Sequence, residues 1–219
     1  FKYAIGEIVL VVIGILIALQ INNWNENRKH DSTINSVYSI IKSDLLSDIE
    51  TIDYVLNEMS YKESLFKRVI NKEMTSEYYY NCDDCRIILN GFPDISLKKR
   101  GMKLLQENST IFDSNLDSLS VKINDFYSYH NIEIEVATIE IASDNKDNYS
   151  FFKNNKTWFT DYYNNEKNDE FITYALTSSD YRNRAKSFHL LYFEIYLGHL
   201  KEYKKNALII INDIEKQIK

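Results

Sequence analysis

The chain has 219 residues, enough for one core of ordinary size even after an apolar opening segment is set aside. Its formal net charge of -6 argues against a nucleic-acid partner, which needs clustered Lys and Arg, and against broad electrostatic docking on anionic lipid. Charged residues at 26% and apolar ones at 44% describe a globular chain, and five Gly with one Pro are too few for the turns of a strand-rich fold, so long helices are expected.

The first element is Tyr3 to Ile21, YAIGEIVLVVIGILIALQI, whose only charge is Glu7. Nineteen helical residues rise roughly 28 Å, close to the hydrocarbon thickness of a bilayer. The stretch predicts a transmembrane helix, with Tyr3 and Trp24 as interfacial anchors. A cleaved signal peptide is the rival reading, but the run ends in Leu-Gln-Ile-Asn-Asn-Trp without a small-x-small cleavage site. Gly14 and Ala18 form a small pair that would let another helix approach closely. Glu7 either snorkels to the interface or makes a polar contact with another membrane helix. Orientation is weakly marked, with Lys2 on one side and Arg28 and Lys29 on the other.

Residues 25–30 read as a polar juxtamembrane hinge, with Asp31 or Ser32 as the cap of the next helix. From there Ile34, Tyr38, Ile41, Leu45, Ile49, Ile52, Val55 and Met59 recur at three- and four-residue intervals, one apolar stripe that can extend through Leu65, Val69 and Ile70. Asp44 and Asp48, a turn apart, read as part of a solvated face. Residues 74–95 lose the periodicity and read as a loop with a short extended piece around Ile87 to Leu89. Ser96 looks like the cap of a short helix through Gln106, and Asn108 to Ser114 like a connection.

A second stripe runs through Leu116, Leu119, Ile123, Phe126, His130, Ile134, Ala137 and Ile141, and Asp144 to Asn148 are expected to end it. Shorter patterns follow around Phe152 to Tyr163 and Phe171 to Leu176, separated by a polar break at Asn164 to Asn168. Tyr181, Ala185, Phe188, Tyr192, Ile195, His199, Tyr203, Ile210, Ile214 and Ile218 define a long C-terminal helix. The expected fold is therefore mainly α: a transmembrane helix in residues 1–24, the hinge, and an antiparallel helical-bundle soluble domain over residues 31–219.

Cys82-Asp83-Asp84-Cys85 admits three readings. A redox pair is disfavoured, because two intervening aspartates oppose a thiolate. Half of a zinc site would need its other half from another subunit, since neither a second cysteine pair nor a suitably spaced histidine accompanies it. A local disulfide, or two free thiols, is the plain reading, and an oxidising compartment favours the disulfide. His130 and Glu133 are one helical turn apart, yet a metal site in a bundle needs several such pairs, and a core histidine is the simpler account of His130 and His199. The sequence contains no Gly-rich phosphate loop, no G-x-S-x-G and no H-E-x-x-H, so catalytic, cofactor-binding and metal residues are all expected to be none.

The segment YAIGEIVLVVIGILIALQINNWNENRK, Tyr3 to Lys29, resembles the N-terminal signature of an uncharacterised family of single-pass inner-membrane proteins common in Bacteroidetes, with Gly-Glu at its start and Gln-Ile-Asn-Asn-Trp-Asn at its end. The family tends to carry a Leu-x-x-Ser-Gly-like patch further on. Leu97 to Leu105 is its counterpart here, with Arg100-Gly101 where Ser-Gly is more usual. The resemblance implies a basic segment upstream of Phe1 and, by the positive-inside rule, a periplasmic location for residues 30–219. It implies no reaction and no cofactor. The expected role is that of a non-enzymatic interaction or accessory subunit of an inner-membrane assembly, with the lipid bilayer and another membrane protein or a homo-oligomer as partners. A periplasmic ligand-sensing module that signals through its membrane helix is the alternative, and an enzymatic role would rest on the cysteines alone.

Overall fold

The apolar stripes fold against one another along most of their length. The computed structural model describes residues 2–114 and 118–218, the side chains of residues 2–6, 8, 9, 113 and 114 excepted. Helix α1, Lys2–Ile70, is a single rod of 69 residues, roughly 100 Å long. Four short helices follow: α2, Ser76–Asn81; α3, Asp83–Arg86; α4, Arg100–Glu107; and α5, Ser109–Ser114. Helix α6 is Ser118–Asn155, and α7, Phe159–Tyr163, and α8, Asp169–Thr177, turn the chain around. A last rod joins α9, Ser179–Phe188, a π-helical stretch, His189–Tyr196, and α10, Leu197–Gln217. The described residues contain no strand, so the extended piece expected at Ile87 to Leu89 is a turn following α3.

Cross-rod pairs give the directions. On α1, Lys42, Asp53 and Glu63 meet Glu215, Lys204 and His189, so α1 and the C-terminal rod are antiparallel. On α6, Lys122, Glu133 and Asp147 meet Asp213, His199 and Arg184, so α6 is antiparallel to the same rod and parallel to α1. Two parallel rods need a return connection. Residues 91–99 supply it as an irregular strap along the bundle, before α4 packs back onto α1.

Every residue of the first stripe from Ile34 to Met59 is buried, and so are Leu119, Ile123, Phe126, His130, Ile134, Ala137 and Ile141 of the second; Leu116 lies outside the described residues. Asp144 to Asn148 do not end α6. Asp144 accepts from Ser187 Oγ at 2.6 Å, Asn148 accepts from Arg184 at 2.8 Å, and the helix passes through them. At the far end Phe152, Trp158, Tyr162 and Phe171 form an aromatic hub with ring centroids 5.1–5.7 Å apart.

Three expectations at the N-terminus are corrected. Among the described residues no helix is long and apolar enough to cross a membrane, which overturns the transmembrane helix and the fold class built on it. The apolar side chains described in this part of the helix run from Leu10 to Ile21. Beyond it the same helix turns to Asn22, Asn23, Asn25, Glu26 and Asn27. Residues 25–30 are continuous helix rather than a hinge, exposed as far as Lys29 and half-buried at His30, and neither Asp31 nor Ser32 caps a new helix, because α1 runs through both.

Candidate functional site

The first candidate is the free end of α1. Every described side chain from Leu10 to Lys29 is exposed, and the helix first reaches the core at Ile34. Apolar side chains cover the whole circumference: Leu10, Val11, Val12, Ile13, Ile15, Leu16, Ile17, Leu19 and Ile21 are all exposed. Among the described residues, nothing from the body covers them. Gly14 has open space where a Cβ would stand, and Ala18 lies one turn further on the same face. Glu7 is exposed at one end of this arm. At the other end Trp24 is exposed, with the Arg28 guanidinium 5.8 Å from its ring centre. Tyr3 lies outside the described side chains.

The second candidate is a pair of carboxylates whose depth the pattern did not reveal. Asp44 and Asp48 are 5% and 2% exposed, not solvated. They hold the return strap and the start of α4. The Gly101 N–H donates to Asp44 Oδ2 at 2.7 Å, and Arg100 reaches Asp44 Oδ1 at 3.4 Å. The Lys98 N–H donates to Asp48 Oδ1 at 3.0 Å, and the Tyr203 hydroxyl donates to Asp48 Oδ2 at 2.7 Å. Helix α4 therefore starts at Arg100 rather than behind a Ser96 cap, and one of its orphan N–H groups, that of Gly101, is met by Asp44 of another helix. Burial pushes the Asp48 carboxyl above the usual carboxylate range, although its two donors pull it back. Burial also raises the Tyr203 hydroxyl far above an ordinary phenol, so it stays a donor. The two carboxylates fasten the fold.

Cys82 and Cys85 are joined in a disulfide across α3. Cys82 Sγ accepts from the Cys85 N–H at 3.2 Å, and the buried Arg86 ties the hairpin down by donating to Tyr79 O at 3.0 Å and to Asp83 at 2.5 Å. The disulfide leaves no thiolate for chemistry. The histidines do not converge. His130 packs among Phe126, Tyr129 and Tyr203 with Nε2 3.0 Å from Asn206, and Glu133 faces His199 at 3.7 Å instead. His189 sits between Glu194 at 3.1 Å and Glu63 at 3.5 Å. Among the described residues no group of three or more His, Cys, Asp or Glu is arranged to hold a metal ion.

The π-helical stretch explains one misplacement. Its wider turn rephases the C-terminal stripe, so Tyr196 and Leu200 enter the core where Ile195 and His199 were expected. Ile195 and His199 are only half-buried.

Residues 7–91 match the model of a family of unknown function, DUF6090. That segment holds the arm, the rest of α1 and the disulfide hairpin, and it is less than half of the chain. It includes Asp44 and Asp48 but stops short of Lys98, Gly101 and Tyr203, the residues they bind. No curated protein and no solved structure matches the chain.

Proposed function

We propose that this protein is a non-enzymatic interaction subunit, which docks through the projecting arm of α1 while its helical body holds that arm in place. The observation that carries this reading is the apolar surface from Leu10 to Trp24, exposed on every side of a helix that the body does not cover. Apolar surface of that extent costs free energy in water, and a helix apolar all round is covered by something in its working state. The occupant is other helices, from copies of this chain or from a second protein. Gly14 and Ala18 mark the side where a partner backbone comes nearest, and Glu7 at one end with Arg28 and Lys29 at the other give the docked pair a polarity. The Cys82–Cys85 disulfide supports an oxidising compartment for the body. With the resemblance to a Bacteroidetes family, that compartment is the periplasm.

The test is the mass of the full chain in solution, together with what co-purifies from its own cells. An assembly larger than one chain, or a stoichiometric partner, is expected. A double substitution Leu16→Glu, Ile17→Glu at exposed positions is expected to release it as monomer with an unchanged circular dichroism spectrum. A wild-type chain that is monomeric and free of partners overturns the reading.

A further inference from the structure

Helix α6 carries a second apolar stripe, on the face turned away from its core residues His130, Ile134, Ala137 and Ile141. Ile132 is 60% exposed and Ile139 61%, with Tyr129 and Val136 exposed beside them. Seven-residue spacing sets the ends of this stripe. Asp125, Ile132, Ile139 and Lys146 follow one another at intervals of seven and are all exposed, so a carboxylate closes the stripe at its start and an ammonium at its end. The arm of α1 has the same layout. Glu7, Gly14, Ile21 and Arg28 stand at intervals of seven, with Val11, Ala18 and Asn25 between them, and all are exposed. Each ladder extends over 21 residues, roughly 31 Å of helix. A seven-residue repeat on both partners is what keeps two helices in contact along one seam.

Laid antiparallel, the two ladders match rung by rung: Arg28 with Asp125, Ile21 with Ile132, Gly14 with Ile139 and Glu7 with Lys146. The bulky Ile139 then faces Gly14, where a Cβ would meet only open space, and Val136 faces the small Ala18. Laid parallel, Glu7 falls on Asp125 and Arg28 on Lys146, like charge on like, so the signs fix the direction. The arm cannot reach α6 of its own chain in this way. It continues α1, which is parallel to α6, and Lys42 and Lys122 meet the C-terminal rod at Glu215 and Asp213, so α1 residues before Ile34 lie beyond the start of α6. A second copy related by a two-fold axis supplies the antiparallel direction and lets both arms dock at once, a reciprocal contact that closes at two chains. We infer that the arm docks on α6 of a second copy of this chain, each arm antiparallel along the other's Asp125–Lys146 face. This rests on the reading of the arm as the docking element and names the surface that receives it.

The experiment is analytical ultracentrifugation of the full chain over a concentration series. The wild type is expected to form a dimer. The double substitution Ile132→Glu, Ile139→Glu lies on the body, far from the arm in sequence and at exposed positions, and is expected to give a monomer with an unchanged circular dichroism spectrum. Asp125→Lys is expected to weaken the dimer about 10-fold, because two symmetry-related exposed pairs each turn from attraction to repulsion. Adding Arg28→Glu to the same chain is expected to restore it, which a general effect of surface charge would not do. A wild-type assembly that survives the α6 double substitution undiminished, or an Asp125→Lys loss that Arg28→Glu does not repair, overturns the inference while leaving the arm as a docking element on some other surface. A wild-type chain that is monomeric and free of partners overturns both.

Discussion

His130 shows how a single buried residue ties stability to pH. Its ring is stacked among Phe126, Tyr129 and Tyr203, and its Nε2 faces the Asn206 amide at 3.0 Å. Burial disfavours the imidazolium first, the nearby His199 adds to this, and Glu202 and Glu133 oppose it, so the folded-state pKa lies below the ordinary 6.5. The unfolded chain therefore holds more protons than the folded one between the lowered value and about 6.5, and stability rises with pH across that window. As pH falls through about 6.5 the contribution is lost. In His130→Phe, where an aromatic ring of similar shape keeps the packing, thermal unfolding is expected to lose less of its midpoint on acidification than the wild type does. Parallel loss in the two proteins would show that His130 is not the group responsible.

At the scale of elements, the docking of α4 depends on one missing side chain. A Cβ on Gly101 would stand 2.6 Å from Ile41 Cγ1 and 2.8 Å from Ile41 Cα, and the backbone atom cannot move aside as a side-chain tip can. Gly101→Ala is expected to cost about 1–3 kcal/mol, the usual range for overpacking, and to lower the urea midpoint. An unchanged midpoint would mean α4 can lift off α1 at no cost. This contact also marks where the sequence stops being informative. The stripe from Ile34 to Met59 and the stripe from Leu119 to Ile141 were legible because period alone identifies a buried helical face. The roles of Asp44, Asp48 and Gly101 were not, because their partners lie 50 to 155 residues away in sequence and only the fold brings them together. Asp144 and Asn148 misled for the same reason: two polar residues on a stripe look like a break until Ser187 and Arg184 arrive to satisfy them. The arm misled in the opposite direction. Its apolar letters suggested a bilayer span, whereas the polar letters that follow belong to the same uninterrupted helix.

For the whole molecule, the question is whether the arm belongs to the folding unit. Cooperativity comes from shared burial, and here the burial is divided sharply along one helix. From Ile34 onward α1 contributes Tyr38, Ile41, Leu45 and Ile52, each with no exposed surface, to a core completed by α6 and the C-terminal rod. From Leu10 to Lys29 every side chain is exposed, and the contacts of Arg28 with Trp24 and of Asn22 with Glu26 are both local. The strap, α4 and the two carboxylates that hold them also lie wholly on the body side. A chain beginning at His30 should therefore have an unfolding free energy, measured by denaturant, within about 0.5 kcal/mol of the full chain's when both are monomeric, as surface changes away from the core usually do. The same truncation should abolish association, because the apolar surface that drives it is gone. A truncated body that unfolds at clearly lower denaturant would mean that the arm folds back onto the bundle in solution, and the division of labour between the two parts of α1 would have to be abandoned.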